Sequence, residues 1–172
     1  MFLAQVVHES AGLRVKEEFG KGASKSYENC CDSVHSDRSL WVERCNPTGK
    51  RGVSYHGRGY LQLTHCYNYH AASLALFGNA YTLLENPDFV LEEGIAWRTA
   101  FWFWKTIVRT DARKNDIKAG KFGVTTAAIN GMECTNPDLK KIAQKRFKYY
   151  KNVSEALKLK PSTNAETGCY KC

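Results

Sequence analysis

The chain lacks several patterns that identify common protein classes. No apolar run approaches the roughly 20 residues that cross a membrane, and no internal repeat, linker or low-complexity segment divides the 172 residues. Alternation of apolar and polar residues with a period of two is scarce, which argues against a β protein. The sequence therefore predicts one mainly α-helical domain over residues 1–172, with long loops and at most a short β-hairpin.

Metal and nucleotide motifs are missing as well. The cysteines do not show the paired Cys-x-x-Cys spacing of a zinc ribbon, although Cys169 and Cys172 form one half of it. Gly57 and Gly59 flank Arg58, but no Gly-Lys-Ser/Thr follows, so a phosphate-cradling loop is disfavoured. We expect no metal and no cofactor. The two glycines instead suit a tight backbone turn beside a ligand.

Helical spacing of apolar residues is the main positive signal. Residues 2–11, 91–108, 124–130 and 138–158 are predicted helices, and another is expected to begin within 68–76. Gly12 is well placed to end the first helix. The region 19–59, rich in Gly, Ser, Lys and Asp, is predicted to be loop.

Two glutamates near the N terminus, Glu9 and Glu18, are the candidate catalytic pair. They are nine residues apart, so at about 100° per residue an uninterrupted helix would place them on opposite faces. A helix that stops at Gly12, followed by a loop that folds back, lets both acids flank one cleft. Inverting hydrolysis of a glycosidic bond needs such a pair, one carboxyl protonated and the other ionised. A single helical glutamate is more often a solvated surface residue, so this pair alone does not identify a site.

The first helix suits the acid, because burial raises a carboxyl pKa and keeps the proton on. Glu9, among Val and Leu residues, therefore fits the acid better than Glu18. Glu17 is one residue from Glu18 and remains its rival for the base.

Five blocks of sequence occur in the order typical of one enzyme family. They are Phe2–Ser10, Tyr55–Tyr69, Asn86–Asp88, Ala96–Trp104 and Phe122–Gly131, and they cover roughly residues 2–150. With these blocks the chain resembles the family 19 glycoside hydrolases, the lysozyme-like chitinases. The resemblance implies a lysozyme-like helical fold and an endo-acting chitinase that cleaves β-1,4 links between N-acetylglucosamine units by inversion.

The resemblance also implies roles for individual residues. Glu9 matches the general acid, Glu18 the general base, and Thr64 a hydroxyl residue that helps to hold the attacking water. Glu133 and Arg146 match a charged pair that the family places beneath the base. Predicted substrate contacts are His8, Tyr55, Gln62, Tyr67, Asn68 and Asn130. The chain departs from the family at Tyr60-Leu61, where relatives have Pro-Ile, and by one missing glycine before Glu133.

Seven cysteines favour a secreted, disulfide-bearing protein. The resemblance favours a bridge from Cys30 or Cys31 to Cys45, and one from Cys134 to Cys169 or Cys172 that pins the tail, residues 151–172. An odd count leaves one thiol over, and Cys66 is predicted to be this buried free thiol. Met1 opens directly onto the first helix without a signal peptide, so we expect a catalytic domain truncated at its N terminus relative to the family.

The net charge of +8 raises a second class of function, nucleic-acid binding, because lysines crowd the predicted helix 138–158. A solvated helix is the preferred interpretation, and we expect no nucleic acid, no membrane and a monomer. The expected partners are chitin or N-acetylglucosamine oligomers. Two alternatives stay open: a hydrolase of peptidoglycan, the polymer that bacterial and phage relatives attack, and a chitin-binding protein without turnover.

Overall fold

A computed structural model describes residues 1–20, 49–50, 53–160 and 169. In this part of the chain the fold is mainly helical, as predicted, and β structure includes isolated bridges from Glu17 to Arg58 and from Arg58 to Leu63. Most of the predicted loop 19–59 lies outside the described residues. The α-helices are α1 (Phe2–Glu9), α2 (Cys66–Phe77), α3 (Thr82–Glu85), α4 (Glu93–Phe103), α5 (Lys114–Lys118), α6 (Gly123–Asn130), α7 (Met132–Thr135) and α8 (Lys140–Ala156).

The predicted helices are present with shifted ends. The segment 91–108 is α4 followed by a π-helical turn, Trp104–Val108, and the segment 138–158 is α8 preceded by a 3-10 turn, Pro137–Leu139. Helix α1 ends at Glu9, two residues earlier than predicted. Ala11, Gly12 and Leu13 then take positive φ angles of 48°, 79° and 66°, a left-handed run that no α-helix tolerates. The helix therefore ends directly after Glu9.

The chain forms two compact units. The first, the terminal unit, comprises Met1–Gly12 and Trp104–Cys172, and the second, the central unit, comprises Leu13–Phe103. The single domain over residues 1–172 stays a prediction. The predicted acid, Glu9, belongs to the terminal unit, and the predicted base, Glu18, to the central unit.

The terminal unit is built on the packing of α1 against α8. The buried positions of α8 recur every three or four residues, at Ala143, Arg146, Tyr150 and Ser154, as an amphipathic helix requires. The Phe122 ring stacks on Tyr150 with a centroid distance of 4.8 Å. These contacts fix the face of α8 that points toward α1.

The central unit surrounds a core to which α2, α3 and the segment 53–63 contribute. Its buried members are Tyr55, Leu63, Cys66, Tyr69, Ala72, Leu83, Leu84 and Val90. The segment 53–63 approaches this core so closely that Gly59, with φ of 76°, would place a Cβ atom 2.9 Å from Cγ1 of Val90. Only glycine fits this position without strain.

Disulfide bonding confirms one prediction and corrects another. Cys134 pairs with Cys169, one of the two bridges expected for the tail. Cys66 is also disulfide-bonded, so its prediction as a free thiol was wrong, because burial alone does not distinguish a thiol from a bridged cysteine. The predicted bridge to Cys45 lies outside the described residues. None of the described helices is both long and apolar enough to span a membrane.

Candidate active site

The predicted acid lies at the end of α1 against a buried arginine. Arg146 Nη1 is 2.5 Å from Glu9 Oε1. The same guanidinium donates through Nε and Nη2 to Glu133 Oε2 and Oε1, both at 2.7 Å. Asn130 Nδ2 donates to Glu133 Oε1 at 3.0 Å. Together with Gln5, these residues form what we call the acid cluster: Gln5, Glu9, Asn130, Glu133 and Arg146.

Burial explains why the acid cluster is so fully paired. The side chains of Arg146 and Glu133 are 2% and 3% exposed, and charges so far from water are retained only when paired and hydrogen-bonded. Gln5 completes the pairing, since its Oε1 accepts from Arg146 Nη1 at 2.9 Å. Its Nε2 donates to the hydroxyls of Thr125 and Thr126. The cluster thereby joins α1, α6, α7 and α8.

The pKa of Arg146 reflects this balance. Burial alone would lower it, but the hydrogen bonds that Arg146 donates to Glu133 and the charge of Glu9 outweigh burial and raise the pKa above its ordinary value. Arg146 is therefore a permanent cation shared by two carboxylates. With both carboxylates ionised the three groups carry one negative charge, and one bound proton makes them neutral.

The environment of Glu9 differs from the sequence prediction in two ways. The sequence predicted apolar surroundings, yet Glu9 contacts a guanidinium and its side chain is 16% exposed. The resemblance placed the pair Glu133 and Arg146 beneath the base, yet Arg146 contacts the predicted acid. The Glu133–Arg146 pair is confirmed, and its place beneath the base stays a prediction.

His8, next to Glu9, is held neutral. Burial and then the charges of Arg146 and Lys145 lower the pKa of His8 from 6.5 to about 3. Its ring packs edge to face on Tyr149 at 6.0 Å, and Nδ1 is buried without a hydrogen-bond partner among the described residues. His8 is thus no proton carrier near neutral pH, and its contact with substrate stays a prediction.

The predicted base is held by backbone groups of the central unit. The Glu18 N–H donates to Gly57 O at 2.8 Å, and the Gly57 N–H donates to Glu18 Oε2 at 2.9 Å. Lys16 O accepts from the Gly59 N–H at 2.7 Å. Residues 16–18 are therefore laid along residues 57–59, and we call the segments 16–18 and 54–64 together the base loop.

Gly57 lies close to the side chains of Gln62 and Thr64. A Cβ atom there would lie 2.6 Å from Gln62 Oε1 and 3.3 Å from Thr64 Oγ1. The absence of a side chain lets the polar groups of Gln62 and Thr64 crowd against the amide that binds Glu18. The two-glycine pattern thus marks a tight turn, as predicted.

Glu17, the rival for the base, has a different partner. Its Oε1 lies 3.0 Å from Nε2 of His56, and His56 Nδ1 lies 3.1 Å from Ser54 Oγ. The His56 side chain is 2% exposed and that of Glu17 is 32% exposed. The two adjacent carboxylates are therefore held separately, Glu17 by an imidazole and Glu18 by a backbone amide.

The structure brings three predicted polar residues together in the base loop and the start of α2. Thr64 Oγ1 donates to Gln62 O at 2.6 Å, and Asn68 Nδ2 donates to Thr64 O at 2.8 Å. Gln62, with φ of 49°, donates from Nε2 to Gly59 O at 3.0 Å. Tyr67, in the same helix as Asn68, stacks on His65 with a centroid distance of 5.5 Å. The residues predicted to hold the water and the sugar therefore lie next to one another in the base loop and at the start of α2.

Tyr55 is placed differently from the prediction. It is fully buried in the core of the central unit, where its hydroxyl donates to Leu84 O at 2.7 Å and accepts from Lys50 N at 2.8 Å. A ring without exposed surface cannot stack on a sugar, so direct substrate contact by Tyr55 is not supported. It anchors the start of the segment 54–64 instead.

Three residues of these arrangements were missed by sequence reasoning: Gln5, Ser54 and His56. Gln5 precedes Glu9 by one helical turn and so shares its face of α1, a signal that was available. Nothing in the sequence links His56 to Glu17, because they are 39 positions apart. Among the described residues no group of three or more metal-ligating side chains forms.

Comparison with known proteins assigns the chain to a family. A family model described as "Chitinase class I", of glycoside hydrolase family 19, matches residues 1–167. The chain is 34% identical over 164 residues to Endochitinase CHI of Arabidopsis thaliana, covering 95% of this chain and 53% of that protein. It spans about half the length of the curated relatives it matches.

Solved structures agree. A family GH19, class IV chitinase from Zea mays aligns with a TM-score of 0.70 and 31% identity, covering 95% of this chain and 69% of that chain. Chitinase C from Streptomyces griseus aligns with a TM-score of 0.71 and 30% identity, covering 98% and 61%. The family match over nearly all residues, the helical fold and the five ordered sequence blocks agree, and the chain belongs to glycoside hydrolase family 19, the class I chitinase family.

Proposed function

We propose that this chain is an endo-acting chitinase that hydrolyses β-1,4 links between N-acetylglucosamine units by inversion, without metal or cofactor. Membership of family 19 supports the reaction class, and relatives named endochitinases support the substrate. The observation that carries the proposal is that the two carboxylates are held by different kinds of group. Glu9 shares one guanidinium with Glu133, whereas Glu18 accepts from a backbone amide.

These different contacts suit different roles for the two carboxylates, Glu9 as the acid and Glu18 as the base. Glu9 gives its proton to the glycosidic oxygen, and the carboxylate it becomes is stabilised by Arg146. Glu18 takes a proton from a water that attacks the anomeric carbon from the opposite side of the sugar. The water oxygen becomes the new anomeric hydroxyl, so the configuration at that carbon inverts.

Residues of the base loop would orient the water and the sugar. The Thr64 hydroxyl donates to Gln62 O, so its oxygen can accept a hydrogen bond from the attacking water. Gln62, Tyr67 and Asn68 would bind sugar, as would His8 and Asn130.

The setting of the reaction is part of the proposal. The Cys134–Cys169 disulfide supports a secreted protein, because disulfides persist in oxidising compartments. We infer that the protein acts as a monomer on chitin or on N-acetylglucosamine oligomers. Peptidoglycan and binding without turnover are the competing outcomes.

Hydrolysis of two polymers tests the proposal. The wild type and Glu9→Gln are each incubated with an N-acetylglucosamine hexamer and with peptidoglycan, and the products are separated by mass. We expect cleavage of the hexamer by the wild type alone, while Glu9→Gln binds it, since the amide keeps the shape and lacks the proton. Cleavage of peptidoglycan only, or binding without cleavage, would overturn the substrate or the enzymatic role.

A further inference from the structure

A chain of hydrogen bonds runs beside the predicted base and has no part in the mechanism above. Ser54 Oγ lies 3.1 Å from His56 Nδ1, and His56 Nε2 lies 3.0 Å from Glu17 Oε1. The ring between them is 2% exposed. A buried histidine bonded at both nitrogens has a fixed orientation, so it can orient what it touches.

The polarity of this chain follows from its ends. An ionised carboxylate only accepts hydrogen bonds, so Nε2 of His56 carries the hydrogen and donates to Glu17. In the neutral ring Nδ1 is then the acceptor, and the Ser54 hydroxyl donates to it. Ser54 thereby selects the tautomer that binds Glu17.

The backbone around His56 is fixed independently of Glu17. Tyr69 donates its hydroxyl to His56 O at 2.7 Å, and Arg58 Nη1 donates to Ser54 O at 2.9 Å. Both Tyr69 and Arg58 are buried. The backbone that carries the imidazole is therefore held in place by buried side chains. Glu17 is the more exposed partner, and we infer that the imidazole restrains it.

The restraint reaches Glu18 through the chain. Residues 16–18 are tied to residues 56–59 by the His56–Glu17 contact, by the backbone bonds from Glu18 N to Gly57 O and from Gly59 N to Lys16 O, and by the Gly57 N–H that donates to the Glu18 carboxylate. The two backbone bonds align residues 16–18 with residues 57–59 but do not hold the side chain of Glu17. The His56–Glu17 contact adds a side-chain restraint next to Glu18.

We propose that His56 is a positioning residue for the base Glu18, acting through Glu17, with Ser54 fixing its tautomer; this rests on the proposed function. It assigns Glu17 the role of anchor and leaves Glu18 as the base. Because a misplacement of about 1 Å can cost on the order of 10²-fold in rate, the effect should fall on kcat.

Two substitutions of His56 separate positioning from packing. The amide nitrogen of His56→Gln reaches about as far as Nε2 and can still donate to Glu17, whereas that of His56→Asn reaches only the place of Nδ1. Both variants bury a neutral amide, so their desolvation costs are similar. We expect His56→Gln to keep most of the wild-type kcat on the hexamer, and His56→Asn to lose on the order of 10²-fold with KM little changed.

A double variant tests whether His56 works through Glu17. Glu17→Ala combined with His56→Asn should be no slower than Glu17→Ala alone, since the contact is already gone. His70→Asn, a partly buried histidine in α2, serves as the control and should keep the wild-type kcat. Thermal unfolding of each variant reports whether it is folded.

Equal kcat values for the Gln and Asn variants, or losses that multiply in the double variant, would overturn the proposal. If His56→Asn does not fold, Glu17→Gln against Glu17→Ala decides the question, because only the glutamine can still accept from Nε2. The amide should keep the rate and the alanine should lose it, and equal rates would refute positioning. A wild type without any hydrolysis would instead refute the proposed function, and this proposal with it.

Discussion

The acid cluster and the base loop hold one predicted catalytic carboxylate each, by opposite means. In the acid cluster, the buried Arg146 of α8 pairs with the buried Glu133 of α7 and with the partly exposed Glu9 of α1. In the base loop, Glu18 is held by the backbone amide of Gly57, whose missing side chain leaves room for Gln62 and Thr64. The first arrangement depends on charge balance, and the second on backbone shape.

The difference has a chemical consequence. An acid that gives up its proton benefits from a fixed cation, and Arg146 supplies one whose charge cannot be lost. A base that binds water benefits from placement, which backbone bonds provide without adding charge. Substitutions should therefore affect the acid cluster through electrostatics and the base loop through geometry.

The largest expected effect is on the reaction rate and distinguishes the two adjacent glutamates. Glu18→Gln should lower kcat by about 10²–10⁴-fold, the usual contribution of a general base. Glu17→Gln should cost far less, because its amide oxygen still accepts from His56. Steady-state kinetics on the hexamer measures both, and equal, mild losses would mean that neither residue is the base.

The next effect breaks the charge balance of the acid cluster. Arg146→Met should destabilise the protein by about 3–5 kcal/mol, because Glu133 is left as a buried, unpaired carboxylate. Denaturant unfolding measures the loss. Adding Glu133→Leu should recover much of the stability without recovering activity. A mild effect of Arg146→Met would show that the cluster is not held by charge.

A geometric change in the base loop should be smaller. Gly59→Ala forces a side chain onto a φ of 76° and against Val90, at a cost of about 1–3 kcal/mol. Gly94→Ala is the matched control. It lies in α4 with no atom within 4 Å of the added methyl group, and should stabilise the helix by up to about 1 kcal/mol. Similar unfolding midpoints for the two variants would contradict the strain at Gly59.

The smallest effect concerns the pH dependence of stability that arises from His8, next to the acid cluster. Above pH 6.5 His8 is neutral whether folded or unfolded, so it contributes no slope there. As the pH falls from 6.5 toward about 3, His8 binds a proton in the unfolded chain but not in the folded protein, so the free energy of unfolding falls. Because His8 is partly exposed, we expect at most about 1 kcal/mol per pH unit.

His8→Phe isolates this contribution. The variant keeps an aromatic edge toward Tyr149 and loses the titrating group, so its stability should fall less steeply with acid than that of the wild type. Urea unfolding at intervals between pH 4 and 7 measures the two slopes. Identical slopes would mean that His8 is protonated in the folded protein.

The sequence predicted the base loop better than the acid cluster. Residues 55–69 form one contiguous block, and the glycine pattern, the turn and the polar residues around it follow from local chemistry. The Glu133–Arg146 pair, by contrast, was predicted only through the resemblance, because its members lie on different helices. The contact between Arg146 and Gln5 joins residues 141 positions apart.

The errors have the same origin. Tyr55 offers an amphipathic ring, and only the packing of the central unit decides that the ring is buried with both hydroxyl bonds satisfied. Cys66 is buried as predicted, yet burial alone does not show whether its sulfur is bridged. The end of α1 was placed two residues late because the left-handed run begins at Ala11, a residue with no intrinsic preference for it.

The anomeric form of the first product tests most directly the central claim that Glu9 and Glu18 act together in one inverting step. The hexamer is mixed with the wild type, and new chain ends are followed by proton NMR before they equilibrate. The mechanism predicts that the new ends appear as the α-anomer, and that Glu9→Gln and Glu18→Gln each abolish them. Initial release of the β-anomer would contradict inversion, and with it the assignment of Glu18 as a base that activates water.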